Sequence, residues 1–98
     1  MTKFKFKALV LGDYWVLLIL YILKDGKLRY NGLKDRLEAI HENQVSSRTL
    51  AQRLDFMEAN GLILREVFAE VPTRVMYELT MKAKEINDVL LAAEQRGI

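Results

Sequence analysis

Apolar and polar positions along this chain change period several times, and each change marks an element. Lys3-Phe-Lys-Phe-Lys7 alternates with period two, which predicts a short strand or extended arm with Phe4 and Phe6 on one face. After Asp13, a good helix cap, Trp15, Leu18, Ile19, Ile22 and Leu23 recur at helical spacing until Gly26 stops the run. Val16, Leu17, Leu20 and Tyr21 are apolar too, so this helix is apolar all round and needs cover on several sides. A 98-residue chain has few elements left to cover it, which predicts a dimer with Val16 and Leu20 in the interface.

Lys27-Leu-Arg-Tyr30 reads as a short linker or strand, and Asn31 as the cap of a second helix with Leu33, Leu37 and Ile40 facing inward. His41-Glu-Asn-Gln44 is polar and reads as a turn. Ser46 then caps a third helix, over about residues 46–60, closed by Asn60-Gly61. With Leu50, Leu54 and Met57 turned to the core, the helical step of 100° puts Arg48, Gln52, Asp55 and Ala59 on the opposite face. Residues 62–68 and 74–80 are rich in β-branched and aromatic side chains with partial alternation, and read as paired strands. The segment between them, about residues 69–74, holds the only proline, Pro72. Thr80 caps a last helix with a stripe of Ile86, Val89, Leu90 and Ala93, ending at Gly97.

The order is arm, three helices, hairpin, helix. The predicted fold is mostly α with a small β-wing: a winged helix-turn-helix with a three-helix core, a hairpin and a C-terminal helix. One domain over residues 1–98 is expected, with residues 1–23 and 80–97 contributing to dimerisation through Phe4, Phe6, Val16, Leu20, Ile86 and Leu90.

Composition narrows the chemistry more than it names it. Half the residues are apolar and 29% are charged, ordinary values for a folded domain. There is no cysteine, hence no disulfide or thiolate metal site, and a reducing cytoplasmic setting is expected. The apolar run 14–23 is ten residues long where a membrane span needs about 20, so no membrane association is expected. The net charge of +2 is unevenly spread: residues 1–36 carry eight Lys or Arg against three acids, and residues 37–98 carry seven against ten. Bulk charge therefore makes no case for a polyanionic partner. The single histidine, His41, has no nucleophile at a catalytic spacing, no His, Cys, Asp and Glu group has metal-ligand spacing, and the glycines are scattered. No catalytic residue, metal or cofactor is expected.

The third helix is the stronger candidate. Its capped start offers backbone N–H groups and a dipole that favour phosphate, and Ser46, Ser47, Arg48, Thr49, Gln52 and Arg53 carry chemistry suited to phosphates and base edges. Any exposed helix carries Arg and Gln as a solvated face; the hairpin that follows is what favours DNA. In that hairpin Thr73 and Arg74 face either the DNA backbone or minor groove, or merely solvent at a tip.

Four segments resemble the HxlR-type winged-helix transcriptional regulators, a group related to the MarR-type dimers. Gly12-Asp-Tyr-Trp-Val-Leu-Leu-Ile-Leu20 is similar to the family's Gly-Gly-Lys-Trp helix opening, and Arg29-Tyr-Asn-Gly-Leu33 to its Arg-Phe-x-x-Leu segment. Val45-Ser-Ser-Arg-Thr-Leu50 looks like its Ile-Ser-x-Arg-x-Leu helix start, and Val71-Pro-Thr-Arg-Val-Met-Tyr-Glu-Leu-Thr80 like its wing. The likeness spans Gly12 to about Leu90. It implies a homodimeric regulator of double-stranded DNA with the third helix in the major groove, the wing alongside and dimer contacts from the terminal helices. Asp13 and Tyr14 depart from the family's Gly and Lys, Met76 from its wing glutamate, and the cysteine through which some members sense electrophiles is absent. The competing expectations are a winged-helix protein-interaction module and a non-specific architectural DNA binder; the effector is not legible.

Overall fold

The computed structural model describes residues 13–95. The arm with Phe4 and Phe6, and the stop at Gly97, lie outside them. Seven elements follow in order: α1 (Tyr14–Leu23), β1 (Leu28–Arg29), α2 (Tyr30–His41), α3 (Ser47–Ala59), β2 (Ile63–Phe68), β3 (Arg74–Leu79) and α4 (Met81–Gln95). The expected mostly helical fold with a small wing is what forms.

Local signals explain most boundaries. The Asp13 side chain accepts from Val16 N–H at 3.1 Å and starts α1. After Leu23, Gly26 adopts φ +138, a left-handed conformation that favours glycine, and its N–H returns to the Leu23 carbonyl at 3.2 Å. Ser46 caps α3 in extended conformation, its oxygen accepting from Thr49 N–H at 3.0 Å. One hydroxyl joins two elements at Thr80, which accepts from Ala83 N–H at 3.1 Å to start α4 and donates to the Gly61 carbonyl at 2.7 Å.

The three strands form an antiparallel sheet in the order β1-β3-β2. Leu28 lies opposite Tyr77 on one side of β3, and Arg65 opposite Tyr77 on the other. Alternation sends Ile63, Tyr77 and Leu79 into the core and leaves the end of the hairpin projecting as the wing.

Helix α1 lies at the centre of the fold. It packs at once against α2, α3, α4 and β3, which cover its Val16, Ile19, Leu20, Ile22 and Leu23 side within the one chain and leave Tyr14 and Tyr21 about half exposed, with Leu17 and Leu18 half-buried. Val16 and Leu20, expected in a dimer interface, are both 0% exposed in the single chain and have no surface left for a partner. The physical reason is that four elements, though short, share the cover of the Val16 and Leu20 side of this helix.

Three smaller expectations also change. Asn31 lies inside α2 rather than capping it. Arg29 is the extended residue before the helix, with no side-chain cap, because β1 runs straight into α2 and its pairing with β3 fixes that conformation. Ile40 is 45% exposed, and Val89 is 50% exposed, so each sits at the edge of its stripe rather than in the core. His41 belongs to the last turn of α2, and the turn proper begins at Glu42, whose φ of 59 provides the left-handed cap.

Candidate nucleic-acid interface

The helix-turn-helix is held by side chains from its own first helix. Glu38 of α2 accepts from Val45 N–H at 2.8 Å, Val45 plugs into the core, and Lys34 donates to Ser47 Oγ at 3.2 Å. Together these fix where the turn ends and α3 begins. Ser46, Ser47 and Arg48 are exposed there and Thr49 is half-buried. The Thr49 N–H is taken by the cap, while helix geometry leaves the preceding N–H groups at the open end without a partner inside the helix. Ser46 also donates to Thr49 Oγ1 at 2.9 Å, so its hydroxyl is engaged within the chain.

The face pattern matches the periodicity. Leu50, Leu54 and Met57 are buried, and Arg48, Gln52 and Asp55 are exposed on the far side. Arg48 and Gln52 are one turn apart on a free helical face, and both can form paired hydrogen bonds to base edges in a major groove.

Arg53 does not join them. Its Nε lies 3.1 Å from Asp13 Oδ2 at the start of α1. The N–H is not aligned for a hydrogen bond, so the contact is an ion pair by proximity. Arg74 is likewise engaged: its guanidinium lies over the Phe68 ring at 4.1 Å and its Nη2 is 3.0 Å from Glu70 Oε1. Phe68 and Arg74 are opposite each other at the last pair of the hairpin, which brings that stacking about. Thr73 is exposed in the tip beside the cis Val71–Pro72 bond. Of the residues expected on the dimer face, Ile86 and Leu90 are half-buried on α4.

The histidine has a setting the sequence does not suggest. Its Nδ1 is hydrogen-bonded to Tyr14 Oη at 3.1 Å, and its ring packs edge-on against Trp15 at 4.8 Å. Tyr14 and His41 are 27 residues apart, and no local pattern links them. Among the described residues there is no group of three His, Cys, Asp or Glu able to hold a metal, and no helix is long and apolar enough to cross a membrane.

Residues 10–97 match the model of the HxlR-like helix-turn-helix family. The chain belongs to that family. An HTH-type transcriptional regulator of Methanothermobacter thermautotrophicus is 41% identical over 87 residues, which cover 89% of this chain and 63% of that protein. A second, from Synechocystis, is 38% identical over 88 residues, covering 90% of this chain and 62% of the relative. The HxlR-like chain thus spans a little under two-thirds of the length of these two relatives. Among solved structures, a transcriptional regulator of the MarR family from Enterococcus faecalis superposes with a TM-score of 0.85 at 29% identity, covering 99% of this chain and 86% of that one. The family's relatives are named as transcriptional regulators, not as enzymes.

Proposed function

We propose that this HxlR-like chain binds double-stranded DNA sequence-specifically as a homodimeric transcriptional regulator in the cytoplasm. The observation that carries the reading is the free face of α3: a capped, solvent-facing amino end with Arg48 and Gln52 on one side, next to a projecting wing. Arg48 and Gln52 read base edges. Ser47 and Thr49, with the helix end, meet the phosphates; Thr73 and Arg74 lie along the backbone or in the minor groove. With Val16 and Leu20 buried in their own chain, the dimer contacts come from α4, where Met81 and Val89 are exposed apolar residues beside Ile86 and Leu90.

Electrophoretic mobility shifts against the DNA upstream of the chain's own gene test the reading. Preferential binding over random duplex is expected; no binding at low salt, or binding with no preference, overturns it. Sedimentation at micromolar concentration is expected to give a dimer, with its two α3 helices about 34 Å apart to meet successive major grooves.

A further inference from the structure

We infer that Asp13 and Arg53 form a strut that holds α3 in its working orientation, so that both are positioning residues for specific DNA binding and neither touches DNA. The inference rests on the reading of α3 as the DNA-reading helix.

The observation is a single carboxylate with two tasks. Asp13 Oδ1 accepts from Val16 N–H and so is fixed to the first turn of α1, the most enclosed helix of the fold, while Oδ2 lies 3.1 Å from Arg53 Nε on α3. The far end of the strut therefore stands on rigid ground. Leu50, Leu54 and Met57 attach α3 to the core close to one line along the helix, and Phe56, about 60° beyond Arg53, packs partly against the core on the flank. These apolar contacts are non-directional, so a charged tie on that flank adds a fixed orientation they do not supply. Arg53 leaves the helix about 60° from Leu50 and 100° from Leu54, on the flank facing α1, where a tie opposes roll.

The neighbouring residue supports the same arrangement. Tyr14 reaches His41 at the end of α2, so the cap and the first residue of α1 tie down both helices of the helix-turn-helix. The Arg53 Nε is almost completely covered, and the side chain is only about a third exposed, which describes a held group rather than one projecting to a ligand. Base-edge contacts by Arg48 and Gln52 require placement to a fraction of an ångström, whereas phosphate contacts tolerate small rolls. Loss of the strut therefore damages specific binding selectively.

The test uses Asp13→Asn, which keeps a good helix cap while removing the charge, Arg53→Gln, and the double variant. Binding is measured by fluorescence anisotropy with an upstream duplex and a random duplex of equal length over a range of salt concentrations. Each single variant is expected to weaken binding to the upstream duplex about two- to fivefold, a range set by the modest strength of partly exposed ion pairs. Random-duplex affinity and salt slope stay unchanged, and the double variant binds no more weakly than Arg53→Gln. A salt slope shallower by about 0.9 for Arg53→Gln, with both duplexes weakened alike, overturns the inference in favour of a phosphate contact. No change in any variant also overturns it. Amide hydrogen exchange along α3 reads the strut without DNA: faster exchange in Asp13→Asn is expected, and unchanged exchange overturns the strut even if the chain proves to bind no DNA. Arg48→Ala in the same anisotropy assay reports separately on whether α3 reads DNA at all.

Discussion

Asn87 Nδ2 donates a 2.8 Å hydrogen bond to the carbonyl of Leu20, joining α4 to α1 across 67 residues of sequence. The bond exists because α1 is about to end: the Lys24 N–H turns to the Tyr21 carbonyl at 3.4 Å, and Asn87 takes the Leu20 oxygen instead. Asn87 is the buried polar side chain among the described residues, and its partner is a buried backbone acceptor. Asn87→Leu leaves that acceptor unsatisfied in an apolar setting, a loss of about 1 to 3 kcal/mol. Urea unfolding checks it: the midpoint falls while the slope m is unchanged.

Leu37 and Ile40 separate the core face of α2 from its edge. Periodicity puts both inward, yet Leu37 is 1% exposed and Ile40 45%. Leu37→Ala is expected to cost about 2 to 5 kcal/mol through lost burial and the cavity left behind. Ile40→Ala is expected to cost about 1 kcal/mol or less, since nearly half of its surface is already in water. Thermal melts of the two variants check the contrast; equal losses would place Ile40 in the core after all.

What was legible in the sequence was local. Asp13, Ser46 and Thr80 announce helix starts because capping needs only a short side chain and the next turn, and the face of α3 follows from 100° per residue. Two β-rich runs on either side of Pro72 signal the wing. What was not legible depends on pairs far apart. Whether Val16 and Leu20 face a partner or their own chain depends on how many elements surround α1, and periodicity carries no information on that. Arg53 and Arg74 look like any solvated arginine until the fold brings Asp13 to one and stacks Phe68 under the other. The setting of His41 likewise depends on Tyr14, 27 residues away.

Ser46 and Arg48 lie two residues apart and should separate stability from affinity. The Ser46 hydroxyl is committed to the Thr49 N–H and Oγ1. Ser46→Ala is therefore expected to lower stability by about 1 kcal/mol, with DNA affinity changed only as far as the end of α3 frays. Arg48 is exposed and sits on the free face of α3. Arg48→Ala is expected to leave stability within about 0.5 kcal/mol of the parent while costing about 1 to 3 kcal/mol of binding to the preferred duplex. Paired melting and anisotropy measurements check both. A uniform loss across all sequences for Arg48→Ala would make it a phosphate contact instead.

Arg74 is held at the base of the wing by one acid and one ring. Its ion pair with Glu70 is partly exposed, with side-chain exposures of 29% and 49%, and such pairs contribute about 0.2 to 1 kcal/mol. A phosphate approaching the wing competes with Glu70 for the same guanidinium, and the repulsion between the two anions opposes binding. Glu70→Gln removes the competitor and keeps Arg74 over Phe68, so affinity should rise by up to about fivefold for every duplex alike. Arg74→Ala should lower affinity for every duplex and make the salt slope shallower by about 0.9. In the Arg74→Ala background Glu70→Gln should have much less effect, because the group it releases is gone. Anisotropy titrations of the three variants at several salt concentrations check this. If Glu70→Gln weakens binding instead, Glu70 orients Arg74 for its contact rather than competing with DNA for it.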